Sequence, residues 1–286
     1  MLPVLRGFSQ IGFQNNSVSG LLILCAIAVN SWLMLLMAIL AVVIAYYIAY
    51  HIGQKLGAEP FDLEAGLYGY NAALLGIALV SSVPLSAWLL FLLPLGAALT
   101  VGLMLVFRKI LRLPAYSCPF ILSAWILLWL ALLLAGESVS ELHSGEVVYE
   151  ELNLLNAVLN GVGQVSFQPS PMSGVLVLLA LAVGSLPKAG WALLASVCSV
   201  IFAYVLGLDS TLINTGFFSF NAILAVLVVV DRMQCRFWPL LAIVLLMAGV
   251  TVLLSAGLMK LGLIAFTTPF VLSTYLLGSI TRWRLG

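Results

Sequence analysis

The chain has 286 residues, of which 64% are hydrophobic and 7% charged, with a formal net charge of +1 and a mean hydropathy of +1.22. Soluble domains carry roughly 25% charged residues, so a water-soluble globule is excluded, and so small a net charge supplies no field for nucleic-acid binding. Apolar runs of about 20 residues recur along nearly the whole length, enough for helices to cross a hydrocarbon core of about 30 Å, whereas the ~10-residue alternating strands of a transmembrane barrel are absent.

The expected fold class is an all-α polytopic membrane protein. Its first segment, residues 5–16, contains Arg6 and then Ser9, Gln10, Gln14, Asn15 and Asn16, where a cleavable leader needs an unbroken apolar core. We therefore read it as a short re-entrant half-helix of the mature fold. Predicted spans follow at 18–30, 32–52, 66–82, 85–107 and 113–136. The acidic stretch 137–151, with Glu137, Glu141, Glu146, Glu150 and Glu151, reads as a solvated linker. A second half-helix is predicted at 159–170, with spans at 173–184, 189–207, 213–230, 236–258 and 263–281. Within it, Gly184-Ser185-Leu186-Pro187-Lys188 is a strong helix breaker, and the aligned Asn30-Ser31 divides the long apolar run 18–52 in the same way.

The two lists of segments are alike because the sequence repeats. Residues 5–20 (LRGFSQIGFQNNSVSG) align without gaps to 159–174 (LNGVGQVSFQPSPMSG). Tyr70-Asn71-Ala72 matches Phe220-Asn221-Ala222, and Ser117-Cys118-Pro119-Phe120 matches Thr267-Thr268-Pro269-Phe270. The predicted organisation is a first repeat at 1–136, the linker at 137–151 and a second repeat at 152–286. Five spans per half is an odd number, so the second half enters from the opposite side as an inverted-topology repeat. On this count ten of the 11 basic residues share one face, with Lys260 alone on the other. The positive-inside rule makes that face, and both termini, cytoplasmic, and the expected location is a bacterial cytoplasmic (inner) membrane.

All ten carboxylates lie outside the predicted spans, while His51 stands at a span end and His143 in the linker. Intramembrane ionisable groups mark proton relays and ion-coupled sites, so a neutral permeant moving downhill is expected. No cofactor, metal site or disulfide framework is implied by Cys25, Cys118, Cys198 and Cys235, which are widely scattered. Nor does any catalytic constellation have partners at plausible depth. The uncharged polar residues come in matched pairs: Gln10 and Gln164, Asn71 and Asn221, Ser117 and Thr267. Interhelical hydrogen bonding is the ordinary role for such residues. Pro119 and Pro269, however, disfavour helix just before them and fit the first turn of a new one. The chain near Ser117 and Thr267 is then irregular, which is tolerated at depth only in protein or beside a water-filled cavity. Phe13 and Phe167 fall three residues after the glutamines, on the same face of a helix. Tyr70 and Phe220 are each followed four residues later by Leu74 and Leu224.

The segments LRGFSQIGFQNN, GLYGYNAALLGIAL and LPAYSCPF resemble the urea transporter family over essentially the whole chain. The family signature Leu-Pro-x-x-Thr-x-Pro-Phe appears as Leu113, Pro114, Ser117, Pro119 and Phe120, and weakened as Leu263, Ile264, Thr267, Pro269 and Phe270. Serine at 117 and isoleucine at 264 depart from it, though a hydroxyl is kept in both copies. The resemblance implies a homotrimer in membrane lipid, with a separate pore in each protomer that urea crosses in single file. It places Gln10, Phe13 and Leu74, with Gln164, Phe167 and Leu224, at two wide sites. It also places Tyr70 and Phe220 on the aromatic walls, and Ser117 and Thr267 at the central constriction. Urea is flat and neutral, so a row of acceptors at about 1 kcal/mol per bond binds it weakly enough for rapid exit. The readings left beside a urea channel are a channel for another small neutral solute, such as ammonia, short amides or water, and a sodium-coupled carrier.

Overall fold

The computed structural model describes residues 2–82, 87–135, 151–233 and 236–280, and among them there are helices, turns and short links but no strand. Most of the acidic linker, His143, Cys235, Arg282 and Arg284 lie outside the described residues. The first half contains α1 (Leu2–Ser9), α2 (Ser17–Asn30), α3 (Trp32–Ile48), α4 (Pro60–Glu64), α5 (Tyr70–Ser82), α6 (Ala87–Leu105) and α7 (Cys118–Ala135). The second contains α8 (Leu154–Gly163), α9 (Pro171–Gly184), α10 (Leu186–Val205), α11 (Ser210–Asn214), α12 (Phe220–Arg232), α13 (Phe237–Lys260) and α14 (Thr268–Ile280).

Local chemistry explains the breaks. Asn16 caps α2 by accepting from the N–H groups of Val18 and Ser19, as an N-cap asparagine does. Ser31 is extended, ends α2, and caps α3 through its hydroxyl to Met34 N. Ser185 does the same between α9 and α10, with Lys188 N as donor and Pro187 in the first turn. α3 runs on through a π-helical turn (Ala49–Gly53) and a 3₁₀ turn (Gln54–Leu56). The resulting 25-residue helix, Trp32–Leu56, is longer than the 20 residues of α10. That excess accounts for the spacing between equivalent residues falling from 154 at Phe13 and Phe167 to 150 at Tyr70 and Phe220.

Among the described residues four helices are long and apolar enough to cross a bilayer, or six if each bent pair counts as one span. The bent pairs are α1 with α2, at 74°, and α8 with α9, at 65°. Each is held by contact of backbone on backbone: a Cβ on Gly20 would lie 1.9 Å from Leu5 O, and one on Gly174 would lie 2.0 Å from Leu159 O. The two pairs also bind each other across the halves. Ser19 Oγ donates to Ala180 O and Ser173 Oγ to Ala26 O, both at 2.7 Å, while Gln14 Nε2 donates to Leu181 O at 2.8 Å. Hydroxyl-to-carbonyl bonds between small-residue surfaces are the ordinary adhesive of helices in lipid.

The structure departs from the sequence reading at the third and fifth predicted spans. Helix begins at Tyr70 and Phe220 rather than at 66 and 213, and at Cys118 and Thr268 rather than at 113 and 263. Turns precede each start, with Gly66 and Gly216 at φ +76° and +77°. As a result α5, α12 and α14 have 13 residues, a rise of about 20 Å and short of a full crossing. Asp231, placed outside its span, lies in the last turn of α12 and pairs with Lys188 at 2.5 Å. α5 and α12 are buried on every side through Leu79 and Val229, as expected for central helices. The outer surface carries exposed Trp32, Leu90, Leu186 and Trp238.

Candidate functional site

The two irregular stretches before α7 and α14 form the candidate site, and an asparagine organises each. Asn71 Oδ1 accepts from Phe120 N at 3.1 Å, and Asn221 Oδ1 from Phe270 N at 3.2 Å, which satisfies a donor that the helix start leaves orphaned. The same side chains donate through Nδ2 to the carbonyls of Tyr116, at 3.4 Å, and Phe266, at 3.2 Å. Both functional atoms of each asparagine are therefore used in holding the loops. One further donor comes from the opposite half in each case. Tyr275 OH donates to Pro114 O at 2.6 Å and Trp125 Nε1 to Ile264 O at 3.0 Å.

The loops are strained. Tyr116 and Phe266 have φ +41° and +43°, and Phe13 and Phe167 have φ +55° and +57°, a left-handed conformation that costs residues with a Cβ roughly 1–2 kcal/mol each. Such outliers gather where a site over-determines the backbone. They also correct the helical-face reading of Phe13 and Phe167, because the helix tightens into a 3₁₀ turn at Gln10–Gly12 and Gln164–Ser166 and the phenylalanines cap its end. Each ring is turned off the helix by its own backbone, not presented by helical spacing.

The result is two three-ring clusters, each completed by the other half. Phe13, Tyr116 and Phe270 form one, with centroid separations of 6.5, 5.7 and 5.6 Å. Phe167, Phe266 and Phe120 form the other, at 6.4, 5.5 and 5.2 Å. The Phe13–Phe270 and Phe167–Phe120 planes meet at 51° and 50°. Ser117 and Thr267 follow the left-handed residue of each loop, are 3% and 1% exposed, and share a hydrogen bond of 2.7 Å between their hydroxyls.

Each cluster adjoins a cavity. One of about 490 Å³ is lined by Phe13, Tyr70, Tyr116 and the loop 113–115, together with Arg108, Arg112 and Arg232. The other, about 260 Å³, is lined by Gln164, Phe167, Phe217, Phe220 and the loop 263–266. Beside the first, Arg108 contacts Asp62 at 2.7 Å without a directed hydrogen bond to that oxygen. Burial raises the Asp62 carboxyl while the guanidinium pulls it back. Glu59, bonded to Lys109, is held below its ordinary value.

Most of the predicted site residues meet here. Gln10 and Gln164 are tethered through Nε2 to Ala65 O at 3.0 Å and Thr215 O at 3.2 Å. Tyr70 is buried, its hydroxyl on the carbonyl of Tyr116. Leu74 and Leu224, one turn further along α5 and α12, are buried in the core and line neither of the two cavities. Sequence reasoning passed over Tyr116 and Phe266, and did not assign Phe120 and Phe270 to a wall. The signal was available in the aromatic residue standing before the hydroxyl in both LPAYSCPF and LIAFTTPF.

Two curated relatives match most of the chain. The chain is 27% identical over 255 residues to urea transporter 1 of Rattus norvegicus, covering 82% of this chain and 64% of the relative. It is 28% identical over 299 residues to urea transporter 1 of Ovis aries, covering 96% and 75%. The chain thus spans about two thirds to three quarters of the length of these relatives, which are transporters rather than enzymes. The family model described as urea transporter matches residues 1–282, and the chain belongs to that family.

Proposed function

We propose that this chain is a passive urea channel whose path runs from one aromatic cavity to the other, past Ser117 and Thr267. The observation that carries the reading is the buried hydroxyl pair between two matching three-ring clusters. Rings at 5 to 7 Å leave flat faces suited to a planar solute and give a hydrated ion nothing in exchange for its shell. A hydroxyl has one donor and two acceptor sites, so the Ser117–Thr267 pair keeps acceptors for the N–H groups of a passing urea. At about 1 kcal/mol net per bond, such contacts replace water without trapping the solute. Gln10 and Gln164 stand at the wide sites in this reading, with Tyr70 and Phe220 on their walls, and Leu74 and Leu224 back those walls from the core.

The halves 1–136 and 152–286, joined by 137–151, are an inverted repeat in the same proposal. Its support is that all ten residues with positive φ among those described fall into five equivalent pairs, and that the ring clusters and the Ser19–Ala180 and Ser173–Ala26 bonds exchange partners when the halves are exchanged. Basic residues of both halves also gather at one end, where Arg108, Arg112 and Arg232 share a cavity and Asp231 meets Lys188. That end is cytoplasmic by the positive-inside rule, and the membrane is a bacterial inner membrane. The apolar outer surface takes lipid and, as the family resemblance implies, two further copies in a homotrimer.

Isotopic urea uptake into liposomes holding the purified protein tests the function. Uptake should follow the urea gradient alone and exceed that of ammonia or short amides relative to protein-free vesicles. Accumulation above the external concentration under a sodium or proton gradient would replace the channel with a coupled carrier.

A further inference from the structure

The two cavities differ in charge, a property for which a neutral permeant has no use. Arg108, Arg112 and Arg232 line the larger, and no charged residue lines the smaller; the equivalent positions are Leu258, Gly262 and Ser82. Asp62 offsets Arg108 at 2.7 Å, while the nearby carboxylates of Glu59 and Asp231 are taken by Lys109 at 2.7 Å and Lys188 at 2.5 Å. Among the described residues no carboxylate pairs with Arg112 or Arg232, the two guanidiniums that line this cavity beside Arg108. Arg112 also holds a left-handed backbone, φ +53°, where its counterpart is Gly262 at φ +68°. A Cβ-bearing residue is disfavoured there, and the other half shows that glycine serves the turn. A topological bias toward positive charge would be met by arginines reaching outward to headgroups; these two line the cavity.

We propose that this cavity is a binding site for a small phosphate-like oxyanion, held between Arg112 and Arg232 at the mouth of the pore. Guanidinium forks match the acceptor geometry of phosphate in bidentate fashion, and walls of low dielectric concentrate their field. Inorganic phosphate and the phosphate of a lipid headgroup share this chemistry.

Equilibrium dialysis of radiolabelled inorganic phosphate against detergent-solubilised, lipid-depleted protein reads the site directly. The expected result is one saturable site per chain, weakened about tenfold by Arg112→Gln or Arg232→Gln, since each removes charge-assisted hydrogen bonds. Arg6→Gln, whose guanidinium bonds Glu64 O away from this cavity, should bind as the wild type does. Adding phosphatidylglycerol to the detergent separates the sources: competition assigns the site to a headgroup, and its absence to the free anion. Lack of saturable binding, or equal affinity in the Arg112→Gln/Arg232→Gln double variant, overturns the proposal. Binding is read without any urea flux, so failure of the channel reading leaves this result standing on its own.

Discussion

Tyr70 is where the two halves of the site part chemically. Its hydroxyl joins Asn71 Nδ2 on the carbonyl of Tyr116, filling both lone pairs of that oxygen, whereas the carbonyl of Phe266 accepts from Asn221 and Phe220 has no hydroxyl to add. Tyr70→Phe should therefore return one acceptor to the first cavity at a stability cost of about 1 kcal/mol. Urea flux measured by stopped-flow light scattering should rise about twofold or more, and Phe220→Tyr should lower it; movement in the opposite directions would show that neither carbonyl meets the solute. Ser117 and Thr267 carry a sharper expectation. Ser117→Ala or Thr267→Val removes a hydroxyl without adding bulk but strands the partner hydroxyl and an N–H of the passing solute, at about 1–3 kcal/mol. Flux should fall about tenfold, the equivalent of 1.4 kcal/mol, with the protein still folded. Undiminished flux in both variants would reduce the pair to packing.

At the scale of elements, the bends between α1 and α2 and between α8 and α9 depend on two glycines. A Cβ at Gly20 or Gly174 would meet a backbone oxygen at 1.9 or 2.0 Å, and no side-chain rotation can relieve a clash with backbone. Gly20→Ala and Gly174→Ala should each destabilise by about 3 kcal/mol or more, read as a fall in thermal unfolding temperature in detergent. Gly257→Ala in α13 meets nothing within 4 Å and should stabilise by up to about 1 kcal/mol through helix propensity. Equal behaviour of the three would mean that the bends are held elsewhere. The same elements show where hydropathy misleads. Residues 65–69 (AGLYG) and 113–117 (LPAYS) are apolar enough to extend a span, yet they are turns, because protein around them supplies the backbone partners that lipid cannot.

For the whole molecule, the expected consequence of an inverted repeat with a basic inner face is a definite labelling pattern. Cysteine at position 146 should react with an impermeant thiol reagent from outside intact cells, and cysteine at position 284 should not. Reaction of both from one side would end the inverted topology. Flux should also stay flat from about pH 6 to 8, since ordinary carboxylates titrate below that window and Asp62, which burial raises and Arg108 pulls back, lines neither cavity. A steep pH dependence in that window would point to a proton-coupled path.

The sequence by itself determined the class of molecule and singled out its matched polar pairs. Gln10 with Gln164 and Ser117 with Thr267 were legible because polar residues are costly in apolar runs and therefore informative, the more so at repeated spacing. Tertiary structure alone decided how those pairs are used. It spends Asn71 and Asn221 on helix starts, turns Phe13 and Phe167 by left-handed backbone, and sends Phe120 and Phe270 across to complete the opposite cluster. None of this is written in hydropathy, because in a chain that is apolar almost throughout, a lipid-facing, a core and a pore-lining phenylalanine are the same letter. Only the path of the backbone and the hydrogen bonds it must satisfy distinguish them.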